Sequence, residues 1–168
     1  AFLQHIARQS ELSLATLTEL RAQRPRHKHL LKLLAQVSLE LRDWPGLVDL
    51  IADLRQNQAM EPHEIDAFEL QAHRELLTLS LPSGSPEVLK QAWKALPKPL
   101  KHHPALVAIY ARQLIQQNEM DDAEALLRPA IEAEWDDALV ELYGRLRPEQ
   151  PGEALDIAEG WVGQHPDN

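Results

Sequence analysis

Leu30, Leu31, Leu34, Val37, Ser38 and Leu41 follow one another at steps that place side chains on one face of a helix. Leu106, Ile109, Tyr110 and Leu114 repeat that spacing after Pro104, and Leu47, Leu50, Ile51 and Leu54 repeat it within the run WPGLVDLIADL at 44–54. Nowhere do apolar and polar residues alternate for more than a few positions, so no strand is predicted. The 12 prolines and 6 glycines fall between the periodic segments and act as punctuation. Pro45 and Pro86 stand where a first helical turn tolerates a residue without an N–H. Leucine and alanine, strong helix formers, number 30 and 21 of 168 residues, while Val, Ile and Thr number only 6, 7 and 3. The pattern predicts an all-α chain.

Short helices joined by short turns make a bundle or a stack of hairpins, and internal repetition decides between them. Ala123, Leu127 and Ala130 have the small–large–small spacing that opens the second helix of a tetratricopeptide repeat. Tyr110, Ala111 and Leu114 fit the first helix of the same unit. Leu34, Ala35 and Ser38 precede Trp44, Leu47, Ile51 and Leu54 in a similar register, and Ala154, Ala158 and Trp161 precede HPDN at 165–168. Leu17, Leu20 and Pro25 read as the tail of another second helix. The expectation is a tetratricopeptide-repeat-like right-handed superhelix of about five degenerate hairpins, each burying its face on its neighbours. It forms a single domain over 1–168, with repeats near 1–25, 26–60, 61–103, 104–135 and 136–168. A generic helical bundle is the alternative. Ala1 in place of Met, inside a helical segment, is expected of a piece of a longer protein.

Cysteine is absent, which removes disulfides, thiolate metal sites and cysteine nucleophiles together. Seventeen bases against 26 acids give a net charge of −9, which speaks against nucleic acid as a partner. No apolar run approaches the length of a bilayer span. The charge is uneven. Residues 119–168 hold 14 acids and 3 bases, whereas 1–118 hold 12 acids and 14 bases. Two basic clusters stand out: Arg21, Arg24, Arg26, Lys28 and Lys32, then Lys90, Lys94, Lys98 and Lys101.

The runs at 20–56, 91–115, 121–148 and 158–168 resemble the C-terminal part of the proteobacterial HemY family. Its most specific parts here are Trp-Pro-Gly-Leu at 44–47, Trp-x-x-Leu-Pro at 93–97 and Glu-Trp-Asp-Asp at 134–137. The resemblance implies a tetratricopeptide-repeat protein associated with haem biosynthesis and tethered to the inner membrane by two N-terminal helices absent from this sequence. It further implies an aqueous domain, expected on the cytoplasmic side because two spans return the chain to its starting side.

Candidate chemistry is sparse. The six glycines form no phosphate loop, no dinucleotide fingerprint and no nucleophile elbow. Asp121-Asp122 and Asp136-Asp137 sit where helices begin, so they read as caps and first-turn anions rather than an acid–base couple. No catalytic residue, metal site or cofactor is expected. Eight histidines raise the question of haem contact, for which the adjacent His102 and His103 are the candidates, although neighbouring side chains diverge on a helix. Trp93 and Trp161 fall at packing positions, whereas Trp44 and Trp135 fall at turns and are expected to be partly exposed.

These readings predict a non-catalytic scaffold that binds a protein or peptide, haem-pathway enzymes among the candidates, in its concave groove. A porphyrin or haem carrier or sensor and a structural spacer are the alternatives. Groove-facing positions of the first helices near 27–41, 62–80 and 104–118 select Lys32 and Gln36, Arg74 and Arg112. Three of these are cationic in a chain of net −9, predicting a basic lane for an acidic peptide or a carboxylate-bearing ligand such as a porphyrin.

Overall fold

The structure, a computed structural model, describes residues 2–80 and 86–146 together with Trp161. Among the described residues every regular element is helical, as the periodicity predicts. The elements are α1 (Phe2–Gln23), α2 (Lys28–Leu41), α3 (Trp44–Gln56), α4 (Pro62–Ser80), α5 (Pro86–Ala95), a 3₁₀ turn (Pro99–His102), α6 (Pro104–Gln116), α7 (Met120–Ala133) and α8 (Asp137–Tyr143). Prolines open α4, α5 and α6 and occupy the second position of α3, where no intrahelical N–H is lost. The Ser-Gly-Ser break at 83–85 and most of the hairpin expected at 136–168 lie outside the described residues. None of the described helices is long and apolar enough to cross a membrane. The chain divides into two compact units, Ala1–Ser80 and Leu81–Asn168.

In the first unit α1 packs on α2, α2 on α3 and α3 on α4. Residues 2–23 are one continuous helix, and Arg21 reaches from its last turn to Asp53 of α3, Nε to Oδ2 3.1 Å. Leu31 and Leu34 of α2, Leu47 and Leu54 of α3, and Ile65 and Ala72 of α4 form the core. Trp44 does not sit exposed at a turn as expected: it is 5% exposed and belongs to this core. It is the first residue of α3, and Trp44, Leu47, Ile51 and Leu54 share the buried face of that helix.

In the second unit α6 packs on the 3₁₀ turn, α7 and α8, and α7 packs on α8. Val107, Ala111, Leu127, Ile131 and Leu139 centre its core. Trp93 of α5 lies flat on Tyr110, ring centres 4.5 Å apart, and Trp161 meets the edge of Tyr143 at 4.8 Å. The stacked pair and the edge-to-face pair each add to the burial of their rings. Pro129 lies on the exposed side of α7 and removes one donor from its hydrogen-bond ladder.

The hairpins α2–α3 and α6–α7 share a capping histidine and a left-handed turn at a constant offset of 76 positions. His27 caps α2 by accepting the Leu30 N–H at Nδ1, and His103 caps α6 by accepting the Ala105 N–H at Nδ1. Arg42 and Asn118 both adopt left-handed backbone, φ 57° and 63°. The following N–H then reaches back five residues, Asp43 to the Ser38 carbonyl at 2.8 Å and Glu119 to the Leu114 carbonyl at 2.9 Å. The same closure ends α3, where Gln58 has φ 49° and the Ala59 N–H reaches the Leu54 carbonyl at 3.0 Å.

Candidate functional site

In the first unit, half-buried Lys32 lines an open cavity of about 660 Å³ together with Arg55 and the α3–α4 turn. Lys32 has no carboxylate within ion-pair distance among the described residues. Arg55, by contrast, is held by two carboxylates on one face of α4. Its Nη1 and Nη2 donate to Glu69 Oε1 and Oε2 at 3.3 and 2.7 Å, and Nη2 also donates to Asp66 Oδ1 at 2.7 Å. These bonds, Glu69's first, raise the guanidinium pKa above its ordinary value. One turn along α4, His73 is buried, and burial pushes its imidazole pKa down against the opposing charge of Glu69. Sequence reasoning missed this network, although Asp66, Glu69 and His73 carry its signal at spacings of three and four.

Gln36 is exposed one turn beyond Lys32 on α2, and exposed Arg74 pairs with its neighbour Glu75, Nη2 to Oε1 3.2 Å. Neither lines the cavity that holds Lys32.

In the second unit, an open cavity of about 780 Å³ lies between the 3₁₀ turn, α6 and the α7–α8 connection. His102, His103 and Arg112 line it together with Glu134 and Asp136. The adjacent histidines border one space because the 3₁₀ turn ends at His102 and the backbone is extended at His103, φ −71° and ψ 121°. The Nδ1 of His103 is engaged in capping α6, leaving Nε2 as its other ring nitrogen. Arg112 is exposed, one turn beyond Ala108 on α6, and makes no ion pair among the described residues. Among the described residues no group of three or more His, Asp or Glu is arranged to hold a metal ion.

The paired carboxylates stand at helix starts. Asp136 Oδ1 accepts the N–H groups of Ala138 and Leu139 at the head of α8, at 3.0 and 3.1 Å, and Asp137 accepts the Trp135 Nε1–H at 2.8 Å. Asp121 and Asp122 lie in the first turn of α7, where they offset the positive end of the helix. The Tyr143 hydroxyl donates to Glu124 at 3.2 Å, and burial, reinforced by that charge, pushes its pKa up to about 12.

The HemY proteins of Escherichia coli strain K12, of E. coli strain CFT073 and of Shigella flexneri are each 25% identical to this chain over 127 residues. The chain is similar to HemY proteins. The aligned part is 76% of the chain and spans about a third of each relative, 32% of its length. No protein-family model matches the sequence, and no solved structure matches it. The structure thus brings His102, His103 and Arg112 around one cavity and puts Lys32 at another. Gln36 and Arg74 stand on open helix faces.

Proposed function

We propose that the chain is a non-catalytic scaffold, a tetratricopeptide-repeat-like superhelix of degenerate hairpins that binds a partner protein or acidic peptide on its concave face. The observation that carries this reading is the repeated hairpin, α2–α3 and α6–α7, with matching histidine caps and left-handed turns at one constant offset. Repetition of one supersecondary unit is the signature of a solenoid, whose usual role is to offer an extended binding surface. Cations without an ion-pair partner among the described residues, Lys32 on α2 and Arg112 on α6, support an acidic partner. The HemY likeness supports an association with haem biosynthesis and with a membrane, and we propose the cytoplasmic side for the domain. Haem-pathway enzymes are accordingly the first partners to try.

The test is capture of such enzymes by the immobilised chain and by a Lys32→Glu, Arg74→Glu, Arg112→Glu triple variant. Retained capture by the parent with loss by the variant supports the reading. Equal capture with an unchanged salt dependence overturns the basic lane. A second reading, a porphyrin carrier or sensor, draws on the cavity that His102, His103 and Arg112 share. It requires a Soret shift that saturates at one equivalent of haem and weakens in a His102→Ala variant.

A further inference from the structure

Between 86 and 116 the only acid is Glu87, whereas the bases are Lys90, Lys94, Lys98, Lys101 and Arg112. In a chain of net −9 this is a concentrated positive segment. None of these five cations has a carboxylate within ion-pair distance among the described residues. The six ion pairs among the described residues all use arginines elsewhere. The fold also sets the lysines along one stretch that leads to the cavity of Arg112. Lys90 and Lys94 lie one turn apart on α5. The Lys101 Nζ donates to the Lys94 carbonyl at 3.2 Å, which brings the next lysine onto the same ridge. Lys98, already helical at φ −51° and ψ −44°, leads into the 3₁₀ turn, where residues three apart eclipse, so it sits over Lys101. The turn then ends at His102 on the rim of the 780 Å³ cavity, whose far wall on α6 carries Arg112.

We infer that this ridge and cavity form the docking surface for an acidic peptide segment, one carboxylate seated against Arg112 and the following ones along the lysines. The inference rests on the scaffold reading and names where in the second unit its partner binds. Charge complementarity argues the occupant, because unpaired Lys and Arg side chains attract carboxylates and Arg adds a bidentate fork. A flat anionic bilayer fits less well, because the surface is re-entrant at the cavity. The carboxylates of Glu134 and Asp136 on the opposite rim orient the peptide. Asp136 is turned to the head of α8 and Glu134 is exposed, so the acids of the peptide run toward α5 and away from that rim.

The experiment uses the intact 168-residue chain and a fluorescein-labelled decapeptide of alternating Glu and Gly, with its Gln-for-Glu counterpart as control, followed by anisotropy. Single-site saturation by the Glu peptide, weakening as salt rises, is the expected result. A Lys90→Gln, Lys94→Gln, Lys98→Gln, Lys101→Gln variant, its helicity checked by circular dichroism, is expected to lose tenfold or more, and Arg112→Gln roughly threefold to tenfold. Glu134→Gln is expected to tighten binding by about twofold. An Arg24→Gln, Arg26→Gln variant, which removes two bases of the first unit, is expected to bind as the parent does. Equal binding of the Gln peptide overturns the inference, because the surface then does not read carboxylates, and equal loss in the Arg24 and Arg26 variant overturns it in favour of attraction by net charge alone. Lysine-dependent co-sedimentation with phosphatidylserine vesicles and no peptide binding overturns it in favour of a membrane surface. A lysine-dependent dimer in sedimentation with no peptide binding overturns it in favour of a second copy. Capture of a haem-pathway enzyme that survives the lysine variant overturns this surface and leaves the scaffold reading. Peptide binding without any captured enzyme does the reverse.

Discussion

Buried His73 makes the first unit sensitive to acid. Its folded pKa lies below the ordinary value of 6.5, so the unfolded chain binds the proton more readily. Stability is therefore fully present above that ordinary value and is lost as pH falls through it toward the lower folded pKa. Urea midpoints measured between about pH 7.5 and pH 5 are expected to fall, and a His73→Leu variant to show a shallower fall. Beside it, Glu69 and Asp66 share Arg55 unequally. Glu69 has a side chain only 12% exposed and takes two bonds, whereas Asp66 is 65% exposed. Glu69→Ala is expected to cost about 1–2 kcal/mol and Asp66→Ala less than about 0.5 kcal/mol in urea unfolding. This network was not legible beforehand because it depends on which face of α4 meets α3, and charged residues at helical spacing mark a solvated face just as well. Trp44 escaped for a related reason. The Pro45-Gly46 that follows it reads as a turn, yet a proline inside the first turn extends the buried face of α3 back to the tryptophan.

At the scale of helices, the periodicity of leucines and the placement of prolines carried most of the information. Both follow from local stereochemistry, so α2, α3 and α6 emerge from spacing alone. The turns did not emerge, because none of the three left-handed positions holds a glycine: they are Arg42, Gln58 and Asn118. An arginine in that conformation gives no compositional signal. It does carry a steric cost that glycine relieves. Arg42→Gly is expected to raise stability by about 0.5 kcal/mol, and Arg42→Val to lower it by about 1 kcal/mol, both read as shifts in urea midpoint. The cap His103 makes a matching case. Replacing it with asparagine, a stronger cap, is expected to leave α6 intact, which separates its structural part from any role at the cavity rim.

For the molecule as a whole, each unit carries its own core, and burial there dominates stability. Leu47, fully buried between α2 and α4, is expected on change to alanine to cost about 2–5 kcal/mol, seen as faster amide exchange in α2 and α3. The uneven charge was visible in the sequence, and so were the histidine pair and Arg112 as separate candidates. That they border one cavity was not, since it depends on the backbone turning at His102-His103 rather than continuing as helix. The basic positions on α2, α4 and α6 were chosen from a repeat frame, which fixes faces of individual helices but not the reach of a long side chain. Arg74, spent on its own neighbour Glu75, illustrates the difference.

The flat stack of Trp93 on Tyr110 also gives the second unit an optical signature. A tyrosinate absorbs where indole emits, so ionising Tyr110 would open a path for energy transfer from its stacked partner. Burial, aided by the charge of Asp122, holds that hydroxyl protonated beyond the ordinary tyrosine range. Emission from Trp93 is therefore expected to survive an alkaline titration past the point where solvent-exposed tyrosines ionise, and to dim only when α5 lifts from α6.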